Sequence, residues 1–423
     1  MKESSTIKTR LIILQWLEFA VWGSYLTSMG GYLAKVGLGE NIGWFYSVQG
    51  IVSIFMPALM GIVADRWVRA ERLLSFCHAV AALFMVYVGY IGLQMGDSVS
   101  FGDIFPYYAI SVAFYMPTIA LTYSVSYSAF AKYGLDTIKD YPFVRLFGTV
   151  GFIVAMWMVD LLGMQHTSSQ FFVCAGWGVV MSVYSLTMPK CPVSAKDEKQ
   201  SIVEALGLNA FRLFKDWKMA MFFIFCMMLG VSLQISNGYA NPFISSFANI
   251  EEYSGAFFAE HANMLISLSQ VSETLCILMI PFFLSRFGIK PVMLIAMLAW
   301  VGRYGFFAIG TPTFPGVTFL ILSMIVYGVA FDFFNVSGSL YVNNEVDASM
   351  RSSAQGLFMM MTNGFGATIG TLSAQAIINY FGCTSDSLAP EAQLEGWQTS
   401  WLIFAAYGLV VAMLFAIMFK SKK

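Results

Sequence analysis

Charged and amide side chains interrupt long apolar runs of this sequence at helical spacing. Arg145, Thr149 and Phe152 are spaced i, i+4 and i+7, so one face of a helix would carry all three. An ionised side chain in hydrocarbon costs about 3 kcal/mol or more, so such residues are rare unless they face a water-filled cavity. Further apolar runs contain the same kind of stripe, at Gln234 and Asn237, at Gln270 and Glu273, and at Tyr327, Phe331 and Asp332. The pattern predicts a polar cavity within a membrane protein, which is typical of a transporter.

The chemistry of these side chains suits a small uncharged ligand that carries hydroxyl groups and a flat ring. Carboxylates accept hydrogen bonds from hydroxyls, and an amide offers a donor and an acceptor together, which matches the edge of a nucleobase. Phe152, Tyr327 and Phe331 can stack on a base, which contributes about 1–3 kcal/mol in nucleic-acid systems. One arginine against two carboxylates leaves an excess acid, Asp332 or Glu273, that can bind and release a proton.

Simple hydrogen bonding between helices is the structural alternative for each of these residues. Such bonds contribute about 0.6 kcal/mol on average, and this alternative suits a single amide better than an acid, whose burial costs more. Glu18, in the first apolar run, is either a further proton-coupling residue or a neutral acid hydrogen-bonded to a neighbour. Arg303 lies nearer the outer end of its run, and we expect it to reach water by extending its side chain.

Composition excludes several classes of protein. The chain has 423 residues and is 58% hydrophobic and 11% charged, against about 25% charged residues in soluble domains. A net charge of −1 argues against a nucleic-acid partner. The three histidines are scattered and the six cysteines lack CxxC spacing, so we expect neither a metal site nor another cofactor. Without an HExxH motif or a clustered nucleophile and base, we expect a protein that is not an enzyme.

The apolar runs predict an all-α membrane protein with twelve transmembrane helices, each long enough to cross a bilayer. The predicted segments are 9–34, 42–64, 73–94, 104–130, 142–163, 168–188, 218–247, 258–284, 291–310, 315–341, 352–380 and 397–419. Of the 23 lysines and arginines, all but Lys35, Arg145 and Arg303 lie at the termini or in loops after even-numbered segments. Because cytoplasmic loops are rich in basic residues, both termini are predicted to be cytoplasmic.

A long charged loop divides these segments six and six. We predict an N-terminal six-helix bundle over 1–189, a cytoplasmic linker over 190–217 and a C-terminal six-helix bundle over 218–423. Apolar residues at near-helical spacing within Ser201–Phe214 favour an amphipathic helix on the inner membrane face, and a disordered tether is the alternative.

The loop after the second segment carries a short motif that resembles the loop motif of the major facilitator superfamily. Gly61 stands four residues before Asp65 and Arg66, and Arg69 follows. The acid and the arginines can bridge helix ends on the cytoplasmic side. We therefore predict that these four residues form a conformational latch and do not bind substrate, although basic residues alone would also satisfy the positive-inside rule.

Longer segments resemble the nucleoside:proton symporter family within that superfamily, and the resemblance extends along essentially the whole chain. They include Arg145–Phe152, Gln270–Thr274, Tyr327–Ser339 and Ala354–Gly366. The resemblance implies two six-helix halves around a central site and uptake of nucleosides driven by protons. It also implies that the nucleoside pocket is lined by Arg145, Thr149, Phe152, Gln234, Asn237, Gln270, Glu273, Tyr327, Phe331 and Asp332.

We accordingly expect a symporter that imports purine and pyrimidine nucleosides across a bacterial inner membrane by alternating access. The expected partners are a nucleoside, a proton and the lipid bilayer, and the expected oligomeric state is a monomer. Asp332, Glu273 and Glu18 are the predicted proton-coupling residues. A proton-coupled sugar or oligosaccharide symporter is the alternative, because acids and aromatic rings also bind sugars.

Overall fold

A computed structural model describes residues 2–193, 208–347 and 350–419, without the side chains of residues 2–4, 65, 66, 137–139, 208, 209 and 352. Within these ranges every regular element is a helix, which confirms the predicted all-α class. A helix satisfies its backbone hydrogen bonds internally, which hydrocarbon demands because it offers no water as a partner.

The helices have the following bounds in chain order. The described α-helices of the first part are α1 Lys2–Gly23, α2 Met29–Lys35, α3 Ile42–Arg66, α4 Ala70–Met95, α5 Phe101–Tyr133, α6 Thr137–Leu161 and α7 Ser169–Ser185. Those of the second part are α8 Trp217–Ser246, α9 Phe257–Glu260, α10 Ala262–Phe287, α11 Ile289–Ile309, α12 Val317–Glu345, α13 Arg351–Met359, α14 Ala367–Tyr380 and α15 Pro390–Met418. A 3₁₀ helix, Leu208–Lys215, precedes α8, and a π-helix, Met360–Gly366, joins α13 to α14.

Membrane-spanning character is clear for most of the predicted segments. In the described ranges, nine helical segments are long and apolar enough to cross a bilayer. The three predicted segments outside that set correspond to α1 with α2, to α7, and to α13 with α14. The count of twelve spans therefore stays a prediction.

The described chain forms two compact units. The first consists of Met1–Tyr32 with Ile51–Leu206, and the second of Leu33–Gly50 with Gly207–Lys423, within the ranges given above. In the first unit α1 packs against α6, and α4 packs against α5 and α7. In the second unit α12 packs against α10 and α11, α15 packs against α11, and α8 packs against the π-helix. The division at 1–189, 190–217 and 218–423 stays a prediction.

The first predicted segment, 9–34, is not one continuous helix. The α-helix ends at Gly23, a turn follows, and α2 begins at Met29. The turn Ser24–Ser28 follows Gly23 and contains two serines and a threonine, which are weaker helix formers than alanine or leucine. Ser24 also donates its hydroxyl to the Ala20 carbonyl at 2.7 Å, so it satisfies part of the helix end.

The eleventh predicted segment, 352–380, contains the π-helix, and its glycines are packing positions. A Cβ added at Gly366 would stand 2.9 Å from the Gly230 Cα, and one at Gly370 would stand 2.6 Å from the Val231 Cα. These separations leave no room for a side chain, so the glycines let α8 approach the backbone of the π-helix and α14. The glycines of this segment thus serve close helix packing.

Substitution at this contact should destabilise the second unit. Gly230→Ala would place a methyl group against the Thr362 backbone carbonyl, and overpacking of this kind costs about 1–3 kcal/mol. We expect a lower melting temperature for the purified protein, measured by size-exclusion chromatography after heating. Gly305→Ala is the control, because no described atom lies within 4 Å of a Cβ added there. Equal melting temperatures for both variants would contradict the close contact.

Only part of the predicted amphipathic helix of the linker lies within the described residues. Residues 201–207 lie outside the described residues, and Leu208–Lys215 is a 3₁₀ helix. Its two phenylalanines stack, with ring centres 5.8 Å apart between Phe211 and Phe214, and Phe214 also lies 5.6 Å from Phe223 of α8. These aromatic contacts fix the start of α8, where Asp216 caps the helix by accepting the Lys218 backbone N–H at 2.7 Å.

Candidate functional site

Two acids come together in the interior of the second unit. Asp332 on α12 is only 5% exposed, and its Oδ2 has no hydrogen-bond partner among the described residues. Glu273 on α10 is half-buried and close enough for its charge to act on Asp332. A buried carboxyl oxygen without a partner is costly, so its retention points to a role in binding a ligand or a proton.

Aromatic rings lie beside the acids. Tyr327 and Phe331 are stacked, with ring centres 5.8 Å apart and an interplanar angle of 11°. Trp300 of α11 meets Tyr327 edge-on at 5.8 Å, and the Gln270 side chain is hydrogen-bonded to the Tyr327 hydroxyl. Tyr327 is therefore held on several sides, while Phe331 is only half-buried. This arrangement brings together the predicted residues of α10 and α12.

A small cavity lies next to these rings. Its lining includes Phe331 and Asn335 from α12, Trp300 from α11 and Thr362 from the π-helix. On α8, Leu233 also lines the cavity.

The two amides predicted on α8 are half-buried. Neither the Gln234 nor the Asn237 side chain forms a hydrogen bond with another described residue. Their donors and acceptors are consequently available to a polar ligand.

Arg303 corrects an expectation from the sequence. It is 1% exposed, so it does not extend to water at the outer surface. Its Nε donates to the Ser236 hydroxyl at 2.9 Å and its Nη1 to the Ser323 carbonyl at 2.7 Å. Its guanidinium carbon lies 4.6 Å from the centre of the Tyr327 ring. The sequence did not indicate this burial, because the bonding partners of Arg303 come from α8, α10 and α12. Its guanidinium lies over Tyr327, an aromatic residue of the candidate site.

Arg145 is half-buried in the first unit. Its Nε donates to the Tyr123 hydroxyl at 3.2 Å, and its guanidinium carbon lies 4.0 Å from the centre of the Phe19 ring. Within the described part of this unit it forms no ion pair. Phe152 is 6% exposed and meets Trp22 edge-on at 6.2 Å, and Thr149 is half-buried. The predicted stripe on α6 thus borders an aromatic wall on α1.

Glu18 lies in a separate polar cluster of the first unit. Its side chain is fully buried, and its Oε2 is 2.9 Å from His78 Nε2. The hydroxyls of Thr118 and Thr122 lie 2.6 and 2.8 Å from the carboxyl oxygens. The proton-coupling role of Glu18 stays a prediction.

The latch motif is only partly visible. Gly61 lies in α3 with open space around it, and the side chains of Asp65 and Arg66 lie outside the described residues. Arg69 pairs with Glu71, with Nε and Oε1 3.2 Å apart. Glu71 also accepts the Cys191 backbone N–H at 3.1 Å. The latch itself stays a prediction, and Glu71 is an acid of this region that the motif did not indicate.

Sequence reasoning missed several residues that build these sites. Trp300, Tyr123 and His78 each lie in an apolar run, where an aromatic residue has the appearance of ordinary core packing. His78 carried one usable signal, because a histidine inside a membrane segment is itself costly. The neighbours of these residues come from other helices, and no local spacing reports them. Among the described residues, no three His, Cys, Asp or Glu side chains come together as a metal site.

Comparison with known proteins identifies the family. The family model described as nucleoside H+ symporter matches residues 5–423. The chain is 46% identical to the xanthosine permease of Escherichia coli (strain K12) over 98% of this chain and 96% of that protein. It is 43% identical to the nucleoside permease NupG of the same organism, with the same two coverages.

Solved structures agree with this assignment. A crystal structure of the nucleoside transporter NupG superposes with a TM-score of 0.88 at 43% identity, covering 98% of this chain and 99% of that one. A D-xylose-proton symporter superposes with a TM-score of 0.65 at 14% identity over 98% of each chain, a likeness of fold alone. The family and these relatives are transporters and not enzymes. The chain belongs to the nucleoside H+ symporter family.

Proposed function

We propose that this chain imports nucleosides together with protons across a bacterial inner membrane by alternating access. The observation that supports this most is Asp332, a buried acid near Glu273 and the Tyr327–Phe331 stack, whose Oδ2 has no partner among the described residues. A carboxyl in this position can accept a ribose hydroxyl when ionised and can carry a proton when neutral. The names of the xanthosine and nucleoside permeases support nucleosides as the substrate class.

Each predicted group has a task in this proposal. Phe331 stacks on the base, while Gln234 and Asn237 bond to its polar edge and Glu273 accepts sugar hydroxyls. Gln270 and Tyr327 support these contacts through their mutual hydrogen bond. Arg145, Thr149 and Phe152 are also proposed to contact the nucleoside.

The transport cycle follows from differential affinity. We propose that the outward-facing carrier binds a nucleoside only after Asp332 or Glu273 is protonated, and that both ligands leave on the cytoplasmic side. Selection between states requires that the protonated form bind nucleoside more tightly than the ionised form. Both termini are proposed to be cytoplasmic, the latch residues to stabilise one state, and the protein to act as a monomer.

Uptake into proteoliposomes tests the function directly. The purified protein is reconstituted with an inward proton gradient, and labelled uridine, xanthosine and lactose are compared. We expect at least one nucleoside to accumulate against its gradient, and a protonophore to abolish the accumulation. Accumulation of lactose with neither nucleoside would instead support a sugar symporter.

Replacing Glu273 tests the site within α10. Glu273→Gln removes a charged acceptor, and hydrogen bonds to charged groups contribute about 1.5–3 kcal/mol, so we expect nucleoside affinity to fall about tenfold or more. Calorimetric titration of the purified protein with the transported nucleoside measures this. Glu395→Gln, the same change at an exposed position of α15, is the control. Unchanged affinity in Glu273→Gln would remove α10 from the binding site.

A further inference from the structure

The buried cluster around Glu18 contains one hydrogen too few for its hydrogen bonds if the acid is ionised. The Thr118 hydroxyl lies 2.6 Å from Glu18 Oε1 and also 2.6 Å from the Tyr115 carbonyl oxygen. Both distances are short, strong O–H···O separations, yet a threonine hydroxyl has a single hydrogen to donate. The carbonyl can only accept. A proton on Glu18 Oε1 resolves the shortage, because the acid then donates to Thr118 and Thr118 donates to the carbonyl.

The other carboxyl oxygen is consistent with this assignment. Oε2 accepts from the Thr122 hydroxyl at 2.8 Å and from His78 Nε2 at 2.9 Å. With Nε2 protonated, His78 is neutral when Nδ1 carries no hydrogen. The cluster then has no net charge. Burial favours a neutral cluster, because Glu18 and His78 are each 0% exposed.

His78 also lies beside a cavity. Its Nδ1 is buried without a hydrogen-bond partner among the described residues. The residue lines a cavity whose wall also includes Tyr25, Met85 and Ser111. A buried acceptor of this kind needs a partner, and one water in the cavity would supply it.

We propose that Glu18 and His78 form a proton-binding pair in the first unit, which exchanges one proton during transport. In proton uptake, the Glu18 carboxylate gains one proton at Oε1 and becomes a neutral acid, while His78 keeps its proton on Nε2 and stays neutral. Release returns Glu18 to the carboxylate, which still accepts from His78 Nε2. This proposal rests on the proposed function only where it concerns transport.

Other titratable groups surround the pair. Cys77 from α4 and Tyr115 from α5 are close enough to interact electrostatically with Glu18. Tyr115 in turn lies within electrostatic reach of Arg145 from α6 and of Cys174 from α7. The Glu18 backbone carbonyl accepts the Tyr115 hydroxyl at 2.9 Å, which binds α1 to α5 on the same side. Arg145 is the cation of this set, and it favours the ionised form of nearby acids.

Infrared difference spectroscopy of the purified protein without nucleoside tests the pair. We expect a carboxylic-acid C=O band that disappears as pH rises and is missing from Glu18→Gln, a variant whose amide reproduces the hydrogen bonds of the neutral acid. In His78→Gln the band should persist with a shifted pH midpoint, which keeps the test open if Glu18→Gln does not fold. A band that is lost in Glu18→Gln but does not respond to pH, or no lost band, would overturn the proposal.

Transport assays provide the second test of the pair. In proteoliposomes, Glu18→Gln should keep nucleoside exchange without a gradient, while the pH profile of gradient-driven uptake changes and fewer protons move per nucleoside. An unchanged profile and an unchanged proton ratio would also overturn the pair. Absence of nucleoside transport in the wild type, with the infrared band still titrating, would refute the proposed function and leave the proton site standing.

Discussion

Replacing Asp332 by asparagine is expected to abolish concentrative uptake of nucleoside. The amide has nearly the shape of the acid but cannot bind and release a proton, so the gradient can no longer drive accumulation. Coupling free energies of about 1–3 kcal/mol correspond to about 5- to 150-fold, and we expect the accumulation ratio to fall by a factor in this range. Uptake of labelled nucleoside into proteoliposomes with an imposed proton gradient provides the measurement.

Two further measurements separate coupling from binding in this variant. Exchange of labelled for unlabelled nucleoside without a gradient should survive in Asp332→Asn if the acid couples the proton, and should fail if the acid is needed only to hold the ligand. Asp347→Asn, at an exposed position just after α12, is the matched control and should transport normally. Full accumulation by Asp332→Asn would leave Asp332 as a structural residue and remove the main support for the proposed mechanism.

Removing the Arg303 side chain is expected to cause the largest loss of stability among the variants considered. The guanidinium bonds to Ser236 on α8 and to Ser323 on α12, and it lies over the Tyr327 ring. Arg303→Ala leaves these polar groups buried without a partner and opens a cavity. Truncation of a large buried side chain costs about 2–5 kcal/mol, so the melting temperature of the purified protein should fall clearly.

Comparison variants separate this structural role from binding. Arg303→Lys keeps the charge but not the planar fork, and we expect partial recovery of stability. Arg286→Ala, which removes an exposed arginine at the end of α10, should leave the melting temperature unchanged. Arg145→Ala should lose transport at nearly wild-type stability, because Arg145 is only half-buried. If Arg303→Ala had the same melting temperature as the wild type, the bonds to Ser236 and Ser323 would contribute little to stability.

The helix ends near the latch motif are connected by contacts that the motif does not describe. Arg69 at the start of α4 pairs with Glu71, which also holds the Cys191 backbone. The motif suggested Arg69 by its charge, whereas Glu71 became visible only through its contacts. Glu71 thus links the start of α4 to the segment that follows α7.

Much of the class and of the candidate site could be predicted from local patterns. Glu273 and Asp332 stand out in the sequence because a charged group inside an apolar run has a large energetic cost. Tyr327 and Phe331 share a helix face because they are four residues apart, and the structure stacks their rings. Such features depend only on spacing along the chain, so they can be predicted from the sequence.

Interruptions of regular helix were harder to predict. The break after Gly23 and the π-helix Met360–Gly366 both lie inside apolar runs that are long enough for continuous helices. Glycines mark both places, but a glycine in a membrane helix can equally mark close packing. At the π-helix it does so, since the space beside Gly366 is filled by the backbone of α8.

The sequence by itself determined that this protein is an all-α membrane protein with ionisable residues in its interior. Hydrocarbon requires backbone hydrogen bonds to form within each helix and makes every buried charge costly, and both constraints act locally. Tertiary structure alone decided that Asp332 Oδ2 has no partner among the described residues, that Arg303 bonds to residues of α8, α10 and α12, and that His78 meets Glu18. Each depends on which helices approach one another, and this is settled by packing between residues far apart in the chain.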